Sequence, residues 1–114
     1  MSDCLFCRLA AGDIPSTRIA DSDDAMAFRD INPVAPDHVL VIPKVHIGSL
    51  AELDFDQPEH ARIWIAMSRM ASAIADDHPN GWRLVTNIGD EGGQTVGHLH
   101  LHVLAGRRFT WPPG

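Results

Sequence analysis

Apolar and polar residues alternate most strictly near the end of the chain, at His98-Leu99-His100-Leu101-His102-Val103. A period of two is the pattern of a half-buried strand. Residues two apart stand on one face, roughly 6.6 Å apart along the strand. One face then carries His98, His100 and His102, and the other carries Gly97, Leu99, Leu101, Val103 and Ala105. Residues 38–42 form a second, strongly apolar strand stopped by Pro43. Residues 17–20 and 25–29 read as a hairpin turning over residues 21–24, and residues 82–87 as a further strand. Asn32-Pro33-Val34-Ala35-Pro36-Asp37 and the glycine-rich stretch 89–95 are loops.

Two helices complete the pattern. A short one runs through Leu9, with Ser2 or Asp3 as its cap and Gly12 just past its end. The long one opens at Asp56, Pro58 and Glu59, spaced as a variant capping box with proline in the first turn, and runs to about Asp76. Its apolar residues form two stripes, Ala61, Trp64, Ile65 and Ala71 on one side and Ile63, Met67, Met70 and Ile74 on another. A helix apolar on two sides is buried on two sides. In a chain this small the second cover is either a further copy or one wide interface within the chain, and the pattern favours the homodimer. Strands, one long helix and strands again predict an α+β fold, an antiparallel sheet covered by the helix, in a single domain over residues 1–114.

At 114 residues the chain buries roughly two thirds of its unfolded surface and needs no staples. The net charge of −6 argues against a nucleic-acid backbone as partner, since such proteins carry a basic stripe. Arginine and lysine are scattered, and only Arg107 and Arg108 are adjacent. No apolar run reaches the ~20 residues that span a bilayer. No basic stretch followed by an apolar one opens the chain, so the sequence predicts a cytoplasmic protein without a membrane partner. In that reducing compartment the pair Cys4 and Cys7, spaced C-x-x-C, reads as metal or redox chemistry rather than a structural disulfide. A ladder of three imidazoles has no use in a packed sheet, and it too points to metal binding or catalysis.

The run Gly92-Gly93-Gln94-Thr95-Val96-Gly97-His98-Leu99-His100-Leu101-His102-Val103-Leu104 resembles the signature of the histidine-triad superfamily. Cys4-Leu5-Phe6-Cys7 with Ile14-Pro15, Ala27-Phe28-Arg29-Asp30-Ile31-Asn32-Pro33, and Val41-Ile42-Pro43-Lys44-Val45-His46 are similar to its other segments. The terminal Trp111-Pro112-Pro113-Gly114 is similar to the end of the Hint branch, the nucleoside phosphoramidate hydrolases. The resemblance covers nearly the whole chain.

It implies the histidine-triad fold, a homodimer whose sheets join across the two-fold, and hydrolysis of purine nucleoside phosphoramidates through a nucleotidyl-histidine intermediate. His100 matches the nucleophile, with its second ring nitrogen bonded to the carbonyl of His98. His102 matches the phosphate-contacting histidine and is expected to be the more cationic of the two. Thr95 matches a residue that bonds phosphate or leaving group. The Hint branch more often has serine there, and threonine is found in dinucleoside-polyphosphate hydrolases, which makes that activity the alternative. A purine-nucleotide-binding module with residual turnover is a further one. Asn87, Gln94 and Val96 match the phosphate surroundings, Asp30 the ribose-binding carboxylate, and Phe6, Leu9, Phe28 and Ile31 the walls of the base pocket. Cys4, Cys7, His46 and His98 match the zinc ligands of several bacterial members; the metal is structural and no organic cofactor is expected. His38 receives no role, His60 and His78 are expected to be solvated, and Arg107 with Arg108 is read as an exposed basic pair.

Overall fold

The computed structural model describes residues 4–114. Two helices and five strands follow in the order α1 (Leu5–Ala10), β1 (Arg18–Asp21), β2 (Ala25–Arg29), β3 (Asp37–Pro43), α2 (Pro58–Ala75), β4 (Arg83–Val85) and β5 (Leu101–Ala105). The strands form one antiparallel sheet in the order β1-β2-β3-β5-β4. This is the expected α+β architecture. No helix among the described residues is long and apolar enough to cross a membrane.

Alternation along the strands gives the sheet two different faces. Ala25, Ala27, Val39, Val41, Leu101 and Val103 point to α2 and pack on its buried Ile63, Met67, Ala71 and Ala75. Met26, Phe28, Leu40 and Ile42 point the other way and pack on Phe6 and Leu9 of α1. His102 stands opposite Leu40 in the β3–β5 register, so its side chain shares this second face. The wide helix needs many small partners, and alanines at positions 25 and 27 let it approach the sheet closely.

Several boundaries differ from the pattern. Ser2 and Asp3 lie outside the described residues, and the cap of α1 is Cys4, whose sulfur accepts from the Cys7 N–H at 3.4 Å. The long helix is capped at Gln57 without a side-chain bond. Asp56 does not cap it: the Asp56 N–H is itself bonded to Asp54, which fixes a tight turn before the helix. His60 is half-buried in the first turn of α2, and its Nδ1 accepts the Asp54 N–H at 2.9 Å. The histidine strand is shorter than its alternation. Regular pairing starts at Leu101, and His98 and His100 lie on the irregular approach to it. β4 is cut to three residues, because the chain must diverge there into the glycine-rich loop. Of the two helix stripes, Ile63 and Met67 enter the core, whereas Ile65 is 52% exposed.

Met67 is fully buried. Met67→Ala should cost about 3 kcal/mol in urea unfolding, while Ser72→Ala on the exposed side of α2 should change stability by less than ~0.5 kcal/mol. Equal small losses would mean that the helix is not the cover of the sheet.

Candidate active site and metal centre

The second face of the sheet gathers Cys4, Cys7 and five histidines, His38, His46, His98, His100 and His102, into two adjoining groups. The first is Cys4, Cys7, His46 and His98, whose ligand atoms all lie within 4.8 Å of one another. His98 is fully buried and donates from Nε2 to the Pro43 carbonyl at 3.0 Å. Its Nδ1 is thereby left with a lone pair, 3.2 Å from the Cys4 sulfur and 3.4 Å from the Cys7 sulfur. His46 Nδ1 lies 3.3 Å from the Cys7 sulfur. A sulfur and a nitrogen bound to one tetrahedral zinc sit about 3.5 Å apart, so the spacing fits that ion. Burial, opposed by the Pro43 bond and reinforced by His46 and His100, keeps the His98 imidazole below its ordinary basicity. A neutral imidazole is what a metal requires.

The second group surrounds His100 and His102. His100 is buried, and its Nδ1–H donates to the His98 carbonyl at 2.7 Å. Its Nε2 therefore carries the lone pair. The ring stands edge-on to Phe6, with centroids 5.1 Å apart, and 5.0 Å from the His102 ring. Thr86, at the point where β4 and β5 part, donates its hydroxyl to the His100 carbonyl at 2.9 Å. His100 is thus pinned at ring and backbone.

His102 is organised by His38, to which sequence reasoning gave no role. The two rings are diagonal neighbours on β5 and β3. His38 Nδ1 accepts the Val34 N–H at 3.1 Å, so its proton sits on Nε2. That N–H faces His102 Nδ1 at 2.9 Å, with the Asp30 carboxylate at 3.4 Å as a weaker acceptor. His102 Nδ1 is then an acceptor, and its own proton sits on Nε2. Asp30, His38 and His102 are close enough to suggest a second metal site. The protonated His38 nitrogen is the one facing that space, which argues against ligation. Burial first, then the neighbouring His100 and His38, push His102 down to about 4. This corrects the expectation of a cationic His102 in the free protein: the imidazole offers a neutral N–H.

The remaining predicted residues fall into three places. Phe6, Leu9 and Phe28 are buried in one cluster with Val96 packed against it, and Phe6 meets Phe28 edge-on at 5.6 Å. Ile31 is 91% exposed, beside Asp30, whose Oδ1 accepts the Asn32 N–H. Asn87 donates to the Gly92 carbonyl at 2.6 Å. The side chain of Gln94 is engaged inside the protein, accepting from Gly89 and donating to the Gly48 and Val96 carbonyls. These bonds brace the glycine-rich loop, where Gly93 adopts φ +76°. Thr95 is exposed at the loop's end. His78, partly exposed near the end of α2, meets Asp37 at 2.8 Å. Nothing in sequence spacing could reveal His38 or Thr86, because both act across strands.

A family model for the HIT domain matches residues 11–109. The chain is 40% identical to a "14 kDa zinc-binding protein" of Zea mays, over 99% of this chain and 89% of that one. It is 43% identical to an uncharacterized HIT-like protein of Synechocystis, over 98% and 97% of the two chains. Its fold is similar to that of a HIT family hydrolase from Legionella pneumophila (TM-score 0.84, 46% identity, 98% and 100% covered). It is similar also to one from Clostridium thermocellum (TM-score 0.89, 39% identity, 96% of both covered). The chain belongs to the HIT family, the histidine-triad proteins.

The unfolded chain takes up a proton on each histidine near 6.5, whereas folded His102 does so only near 4. Stability therefore falls as pH drops from 6.5 towards 4, because the unfolded state binds more protons in that window. Urea unfolding between pH 7.5 and 4.5 should decline more steeply for wild type than for His102→Gln. Parallel curves would show that His102 is not held neutral.

Proposed function

We propose that the protein is a nucleotide hydrolase that attacks the α-phosphate of purine nucleoside phosphoramidates with His100. The observation that carries this reading is the bond from His100 Nδ1–H to the His98 carbonyl, which leaves the lone pair of the neutral ring on Nε2, as a nucleophile needs. Its attack on phosphorus breaks the P–N bond, and the amine departs after taking a proton. Water then cleaves the nucleotidyl-histidine, releasing the monophosphate and restoring His100. The Nε2–H of His102 donates to a phosphate oxygen, where negative charge favours it. Thr95 and the backbone of the glycine-rich loop, braced by Gln94 and Asn87, lie where leaving group and phosphate approach. Asp30 takes the ribose hydroxyls; Phe6, Leu9, Phe28, Ile31 and Val96 enclose the base. Thr95 also keeps open the second reading, hydrolysis of dinucleoside polyphosphates.

Cys4, Cys7, His46 and His98 hold a structural zinc ion in this reading. Four protein ligands leave a tetrahedral ion no open position for substrate, so the metal ties α1 to the sheet and takes no step in turnover. The name of the Zea mays relative supports zinc for this set. A cytoplasmic location suits it, since reducing conditions keep the thiols available. The outer edge of β4 has no strand partner among the described residues, and Leu84 and Ile65 are 44% and 52% exposed. That supports a homodimer joined through this edge.

Wild type should release AMP from adenosine 5′-phosphoramidate, and folded His100→Ala should be slower by more than about a thousandfold. Equal low rates with AMP still bound would leave a nucleotide-binding module instead. Purified protein should carry one zinc per chain, and Cys7→Ser should lose it; a wild type that retains no metal would refute the zinc assignment.

A further inference from the structure

Val34 is 60% exposed and belongs to the irregular loop between β2 and β3, yet its N–H occupies Nδ1 of buried His38, while the Asp30 carboxylate faces Nε2 at 3.4 Å. Something must hold that exposed peptide still. The turn that leaves β5 does so at two points. Arg107 bonds the Val34 carbonyl with both Nε and Nη2, at 3.2 and 3.1 Å. Its third contact, Nη1 to the Arg108 carbonyl at 3.0 Å, and the Phe109 ring 4.2 Å beneath the guanidinium keep the fork in place. One residue earlier, Gly106 has φ +96°, and a side chain there would meet Pro36 at 2.9 Å. The turn thus presses on the loop at Pro36 and grips it at Val34.

We propose that Arg107 is a positioning residue for His102, acting through Val34 and His38. The guanidinium fixes Val34; the Val34 N–H keeps His38 protonated on Nε2; His38 Nε2–H keeps His102 Nδ1 an acceptor. The exposed nitrogen of His102 is then always the one that carries hydrogen. Without the fork the loop is free to move. His38 can then take its proton on Nδ1, and His102 loses its fixed donor. Arginine is required because two donors converge on one carbonyl while the flat group stacks on an aromatic ring, which an ammonium cannot reproduce. The exposed basic pair of the sequence is therefore divided, with Arg107 built into the site and Arg108 outside it.

The inference rests on the reading of His102 as the phosphate-contacting histidine, but its first readout does not depend on turnover. Nitrogen-15 spectra of the imidazoles at neutral pH report which ring nitrogen carries hydrogen. In zinc-loaded wild type, His38 and His102 should each show one protonated Nε2. In Arg107→Ala, which removes an exposed side chain, both should show averaged tautomers. Turnover of adenosine 5′-phosphoramidate should fall about tenfold in kcat with KM little changed. Arg107→Lys, keeping one donor, should recover part of both effects. Unaltered His38 and His102 spectra in Arg107→Ala would overturn the proposal, as would a loss confined to KM. If His100→Ala shows the protein to be no hydrolase, averaged tautomers in Arg107→Ala still support the coupling, and fixed ones still refute it.

Discussion

Each buried histidine of this protein has one ring nitrogen committed to a fixed partner, and that commitment decides what the other nitrogen can do. His98 gives Nε2–H to the Pro43 carbonyl and keeps Nδ1 for the thiols. His100 gives Nδ1–H to the His98 carbonyl and keeps Nε2 bare. His102 receives at Nδ1 from His38 and keeps hydrogen on Nε2. Three chemically identical side chains, two residues apart, thus become a candidate ligand, a lone-pair donor and a hydrogen donor. Burial sharpens the division at His98 and His102, since an imidazole excluded from water resists a second proton.

The sheet makes this arrangement possible by separating its two tasks. Apolar area is buried on the α2 face, where Leu99, Leu101 and Val103 lie between the histidines in sequence. The opposite face can then hold imidazoles beside its own smaller apolar cluster of Met26, Phe28, Leu40 and Ile42. What apolar cover it has comes from α1, a helix of six residues and far too short to be stable alone. Phe6 touches Phe28, His98 and His100 at once. Phe6 thus meets one residue of the Cys/His cluster and one of the second group, so the candidate metal centre and the candidate active site share a wall.

Much of this is legible in the sequence, for identifiable reasons. Alternation in residues 98–103 separates the imidazoles from the leucines, because the period of a strand is a local property. The same holds for the α+β architecture, which follows from the order of periodic segments, and for the family, which follows from several motifs in fixed order. What stays hidden depends on register and on charge. His38 looks like the first residue of an apolar strand, and only the pairing of Leu40 with His102 brings it beside the triad. Thr86 matters because β4 ends there, and a strand end set by tertiary divergence has no signature. The protonation of His102 was expected the other way round, because spacing shows that two imidazoles are close but not how much water reaches them. Helix caps fail for a related reason. Gln57 is a poor cap by preference, and the better candidate beside it, Asp56, is drawn by its N–H to Asp54 instead.

The most direct test is the imidazole nitrogen-15 spectrum of the zinc-loaded wild-type protein at neutral pH, assigned by single histidine substitutions. The account predicts hydrogen on Nδ1 of His100 with a bare Nε2, and hydrogen on Nε2 of both His38 and His102 with bare Nδ1. Hydrogen on Nε2 of His100, or a doubly protonated His102 in the free protein, would contradict it.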